Sequence, residues 1–170
     1  MSARRPSRSR GIAVVEFAII LPIMLILMFL IIEFGRAILT RQVMLNISRE
    51  AANLSARGTS MSDAATAAQL SASPLDLKTN GYVIISKVFP NAAGVPIIID
   101  RFSAGGRPRP SKIGNGIGGI ANLPPTNVPI PPSGQDLFVC EVFYLSDTIT
   151  PLTQLMNVQI GDTFYDAAFF

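Results

Sequence analysis

The chain has 170 residues, with 14 Lys and Arg against 11 Asp and Glu, one cysteine and no histidine. That length holds one membrane segment and one small domain of about 100 residues. A lone cysteine excludes an intrachain disulfide. The lack of histidine removes the commonest metal ligand and the Ser-His-acid and Cys-His catalytic designs.

The charge is not spread evenly. Arg4, Arg5, Arg8 and Arg10 crowd the first ten residues with no acid among them. From Ala51 onward seven Lys or Arg face eight Asp or Glu, so no basic footprint for nucleic acid is expected there. The basic end is a membrane-orientation signal.

The first element follows it. "GIAVVEFAIILPIMLILMFLIIEFGR" runs from residue 11 to 36, and from Phe17 to Ile32 it carries no charge. Ten of those sixteen residues are Ile or Leu and two more are Phe. These twelve contribute roughly −4 to −7 kcal/mol to insertion, so a transmembrane helix is expected over 12–35. Glu16 and Glu33 would lie about 26 Å apart along it, near the two edges of a hydrocarbon layer about 30 Å thick. Pro22 falls inside the span, where membrane helices tolerate it. The arginines keep the leader, residues 1–11, in the cytoplasm and send the rest outward. No small-x-small site closes the apolar run, which argues against an ordinary cleaved signal.

A helix continuation over 36–58 is expected next. Ile38, Leu39, Val43, Met44, Ile47, Ala51 and Leu54 recur on one face, and Gly58 is a plausible stop. Either this half packs on a sheet or it lies on the membrane surface. Glu33 pairs with Arg36 three residues on, or makes a polar contact to a partner helix. A short helix from Asp63 to Ser71, capped by Ser62, precedes Pro74.

Strands are predicted at 81–90, 95–102 and 136–145, with a fourth near "VQIGDTFYDAAFF". Cys140 sits in the strongest of them, as a small buried hydrophobe or a reactive thiol. Gly and Pro fill 14 of the 32 residues from 103 to 134. That stretch reads as a long flexible loop. Gly114, Gly116 and Gly119 spell G-x-G-x-x-G within it, but no βαβ unit flanks them and a dinucleotide site is rejected. The fold class is therefore α+β: a long N-terminal helix packed on a small, mostly antiparallel sheet whose other face meets solvent. Residues 59–170 form the small extracytoplasmic domain.

"RG|IAVVEF" resembles the processing site of type IV prepilins, with Gly11 ending the leader, Ile12 first after the cut and Glu16 at the fifth position. The "VEFA" start, the "LP" within the helix, "EFGR" at its exit and "REAANLSARG" at its end resemble the N-terminal region of TadE-like and TadG-like proteins. The match is specific over residues 11 to 58, and the short length favours the TadE-like type. The resemblance implies a minor pilin or pseudopilin in assembly of a tight-adherence (Flp-type) pilus, in the bacterial inner membrane. The implied partners are a prepilin peptidase, pilins and other minor pilins, the inner-membrane assembly platform and membrane lipids. Glu16 would meet a freed amino terminus there, where an unpaired charge costs several kcal/mol. Pilin sites often carry Phe or Met where this chain has Ile12. The alternative is an uncleaved anchor for an extracytoplasmic binding module, with Glu16 reaching to the interface. Asp100, Asp136, Glu141 and Asp147 are scattered without nucleophile–base spacing, so no enzyme and no cofactor are expected.

Overall fold

The computed structural model describes residues 9–124, 134–146 and 163–170. The described residues divide into two units, one ending at Ala37 and one beginning at Ile38.

In the first unit the chain is the opening part of helix α1 (Ser9–Ala56), with Pro22 inside it. Its most apolar stretch has a mean hydropathy of 2.9 and none of that stretch is buried. Apolar side chains from Ile12 to Ile32 stand exposed, Ile31 at 73%. A contiguous exposed apolar surface of this length is foreign to a water-soluble face, and the helix is long and apolar enough to cross a membrane.

The second unit is built on a four-stranded sheet: β1 (Gly81–Pro90), β2 (Pro96–Ala104), β3 (Leu137–Leu145) and β4 (Thr163–Phe169). The order is β2-β1-β3-β4 and every pair is antiparallel. Strand alternation sends successive side chains to opposite faces. Val83, Ile85, Cys140, Val142 and Ala168 therefore face one side, and the later part of α1 supplies Met44, Ile47, Ala51 and Ala52 against them. Helix α2 (Met61–Ser71) adds Ala64, Ala65 and Ala68 to the same core. Small residues on both helices let the backbones come close. The Ser48 hydroxyl donates to the Asp166 carboxylate, which ties α1 to the edge strand β4.

Several expectations shift by local chemistry. Ile38 and Leu39 are exposed, so the buried helix face begins at Thr40 rather than Ile38. Ser60, not Ser62, caps α2: its hydroxyl accepts from the Asp63 N–H at 3.1 Å. An unforeseen single turn, α3 (Leu77–Asn80), is capped by Asp76, which accepts from the Thr79 N–H at 3.1 Å. Hydrogen bonds from Thr79 hold the Asp76 carboxyl below its usual value.

The largest difference concerns the second face of the sheet, which was expected to meet solvent. Ile113 and Ala121, from the Gly/Pro-rich stretch, are buried there against Val88, Ile98, Leu137 and Val139. The same stretch runs along the outer edge of β2. Gly118 N–H donates to Ile98 O at 2.7 Å, Ile98 N–H to Gly119 O at 3.0 Å, and Ile97 bridges Ile120. So one of the three motif glycines, Gly119, takes part in this edge contact, and the exposed ladder of β2 gains partners. Entry to the loop needs glycine as well. A Cβ at Gly105, whose φ is +139°, would stand 2.3 Å from Gly81 O, and one at Gly106 would stand 2.6 Å from two carbonyls of α3. Residues 125–133, the remainder of the expected flexible loop, lie outside the described residues.

Cys140 is buried, and burial first, then the charges of Glu141 and Asp166, push its thiol well above the usual range. Maleimide at neutral pH is therefore expected to leave Cys140 unlabelled in detergent-solubilised full chain and to label it fully in denaturant. Ile113→Ala is expected to cost about 2–4 kcal/mol, read as earlier Cys140 labelling along a denaturant titration.

Candidate functional site

Two regions carry unusual chemistry. On α1, Gly11 is helical and exposed, with no atom within 4 Å of where a Cβ would stand. Among the described residues, nothing requires glycine at that point. Ile12, Glu16 and Pro22 are also exposed. Glu33 is only 6% exposed and Arg36 is half-buried, and each has an interaction partner. Burial separates the two acids: Glu16 is offered to whatever surrounds the helix, Glu33 is not.

The second region is the centre of the loop-covered sheet face. Register places Glu141 opposite Ile84 on β1 and Ala167 on β4. It is fully buried. A buried carboxylate is tolerated only when its oxygens are supplied with donors, and three arrive. The Ser111 hydroxyl donates to one oxygen. The other accepts from the Lys112 backbone N–H at 2.8 Å and from the Tyr165 hydroxyl at 3.1 Å. Burial, then the Glu141 charge, raises the Tyr165 phenol well above its usual range, so it stays a donor.

Arg101 completes the cluster from β2. Its guanidinium donates to Ser86 Oγ at 2.9 Å, Gly114 O at 3.1 Å and Ser111 Oγ at 3.2 Å. Ser111 thus stands between the cation and the anion, and its neighbour Lys112 lays its ammonium over the Tyr165 ring at 3.7 Å. The cluster is a clamp: one carboxylate and one guanidinium hold residues 111–114 on the sheet. Both Glu141 oxygens are held by donors from the loop and from β4, so its evident work is to anchor them.

The other acids weighed from the sequence are also engaged. Asp136 pairs with Lys87 at 2.9 Å, and Asp100 accepts its neighbour's N–H at 2.8 Å. Asp147 lies outside the described residues. Glu141 was one scattered acid in the sequence. The available signal was its place in the middle of "LFVCEVF", where an acid among apolar residues must find donors. Its donors come from 29, 30 and 24 residues away, which no local pattern discloses.

Residues 11–53 match the family model of TadE-like protein. No curated protein and no solved structure matches the chain.

Removing the clamp has a definite cost. Glu141→Ala is expected to lower stability by about 3 kcal/mol, because Ser111, Lys112 and Tyr165 lose a shared acceptor. Glu141→Gln, which keeps one acceptor oxygen, should cost about half as much. Both are measured by the denaturant concentration that exposes Cys140.

Proposed function

We propose that this chain is a TadE-like minor pilin or pseudopilin acting in assembly of a tight-adherence (Flp-type) pilus, without catalytic activity of its own. The observation that carries the reading is the TadE-like match over 11–53, which falls on a helix whose apolar residues from Ile12 to Ile32 stand exposed. Membrane lipids cover that surface before assembly, and the helices of pilins and other minor pilins cover it afterwards. The basic leader stays in the cytoplasm and the sheet domain lies outside the inner membrane.

A prepilin peptidase cuts between Gly11 and Ile12. Support comes from the open space around Gly11, where no packing among the described residues calls for glycine. Glu16 stands one helical turn beyond the new amino terminus and neutralises it, its own or a neighbour's, once lipid and protein have displaced water. Exposed Pro22 belongs to the packing surface used with other helices of the inner-membrane assembly platform, while Glu33 and Arg36 already have partners within the chain. The second reading is an uncleaved anchor for an extracytoplasmic binding module, favoured by the clefts on the loop-covered sheet face.

The N-terminus of the protein recovered from membranes separates the two readings. Ile12 as first residue is the expected result; Met1 or Ser2 selects the anchor. Gly11→Ala should abolish processing while leaving membrane insertion and domain stability unchanged. Glu16→Ala should leave insertion intact and abolish pilus production, scored by surface-pilus yield. Normal piliation in that variant would remove Glu16 from assembly.

A further inference from the structure

Two asparagines of this chain precede a glycine: Asn80 before Gly81 and Asn115 before Gly116. In such a pair the glycine nitrogen can attack the asparagine side-chain amide, because no Cβ shields it. The attack needs the asparagine side chain to turn back over the following peptide. It also needs a glycine nitrogen that is free to move. The sequence treats the two pairs alike, and the fold separates them.

Asn80 is fixed from both sides. It closes α3, and its N–H donates to Asp76 O at 2.9 Å. The Gly81 N–H donates to Leu77 O, and Gly81 itself is buried and paired with Tyr144 on β3. A Cβ at Gly81 would stand 2.3 Å from the Leu77 side chain, so the junction leaves no room for the peptide to swing.

Asn115 stands in the opposite situation. It is exposed, within the irregular stretch laid over the sheet. Gly114, Gly116 and Gly118 around it have φ of +157°, +154° and +85°. Among the described residues, no atom lies within 4 Å of where a Cβ at Gly116 would stand. Closely spaced glycines give this peptide wide torsional freedom, and solvent reaches the amide.

We propose that Asn115 is a site of spontaneous deamidation and that the fold protects Asn80 from the same reaction. The Gly116 nitrogen gives its proton to solvent base and forms a bond to Asn115 Cγ. The side-chain nitrogen leaves as ammonia, and a cyclic imide remains. Water then opens either C–N bond of the ring, leaving aspartate or isoaspartate. The sequence of steps consumes one water, releases one ammonia and needs no oxidant or reductant.

The product acts on the clamp. Asn115 lines a cleft of about 230 Å³ together with Arg101 and Gly114. Arg101 donates to Gly114 O at 3.1 Å, one of the bonds that hold residues 111–114 on the sheet. Isoaspartate lengthens the main chain by one carbon directly after Gly114 and moves that carbonyl off its donor. Deamidation therefore loosens the loop. The site goes beyond pilus assembly and rests on neither processing nor insertion.

The test is incubation of detergent-solubilised full chain in mildly alkaline buffer, with peptide mass spectrometry and an isoaspartate assay at intervals. Amide loss at Asn115 is expected at least tenfold faster than at Asn80. In denaturant the two sites should react at similar rates, since the unfolded pairs are equivalent. Asn115→Gln should remove the reaction at that position. Aged chain should expose Cys140 at lower denaturant than fresh chain, and aged Asn115→Gln should not. Unlabelled Cys140 in native buffer reports an intact domain at the start of each run. Four results would each overturn the proposal: equal rates at the two sites in the folded chain, faster loss at Asn80, amide loss at Asn115 without isoaspartate, or unchanged Cys140 exposure after full conversion.

Discussion

A carboxylate in the middle of the most apolar strand would be a serious defect if left alone. Moving an ion out of water costs several kcal/mol even after relaxation, and only directed donors recover it. Glu141 therefore sets a requirement: a hydroxyl, a backbone N–H and a phenol must converge on one point of the sheet. Two of those donors belong to a glycine- and proline-rich stretch with no regular structure to hold it in place. Meeting the requirement fixes that stretch, covers the second sheet face and shields the outer edge of β2. The small domain thereby gains two apolar clusters in place of one.

The two ends of α1 obey different solvents. From Phe17 to Ile32 the helix is uncharged and apolar all round, as suits a hydrocarbon surround. From Thr40 on it has one buried face of Met44, Ile47, Ala51 and Ala52 and an opposite face with Arg41, Arg49 and Glu50 exposed. Continuous helical hydrogen bonding lets a single element serve both surroundings, since the backbone satisfies itself in either. The contrast between exposed Glu16 and buried Glu33 belongs to the same division of labour. Glu16 is open to its surroundings, and Glu33 already has a partner.

The sheet domain uses its two faces unequally. The face toward α1 and α2 is apolar and packed with small residues, and the Ser48 hydroxyl ties to Asp166 across it. The loop-covered face is graded along the strands. It is apolar near Val88 and Leu137, polar at Glu141, and aromatic and cationic near Tyr82 and Tyr165. That gradient arises because the loop's apolar residues, Ile113 and Ala121, seat at one end while its arginines stay at the other.

By itself the sequence determined the elements and their local character. A sixteen-residue uncharged run can only be satisfied by burial in lipid or protein, and period-2 apolar patterns bounded by Gly and Pro mark strands whatever surrounds them. Hence the membrane-length helix, three strands placed within a residue or two, and a resemblance confined to residues 11 to 58 were all legible. Tertiary structure alone decided what the glycine-rich stretch does, which serine caps α2, and that Glu141 is an anchor and not a stray acid. Those outcomes rest on contacts between residues far apart in the chain, such as Ser111 with Glu141 and Ser48 with Asp166. A local pattern records the preference of each residue for its own backbone and solvent, but not the donor that another strand or loop will bring to it.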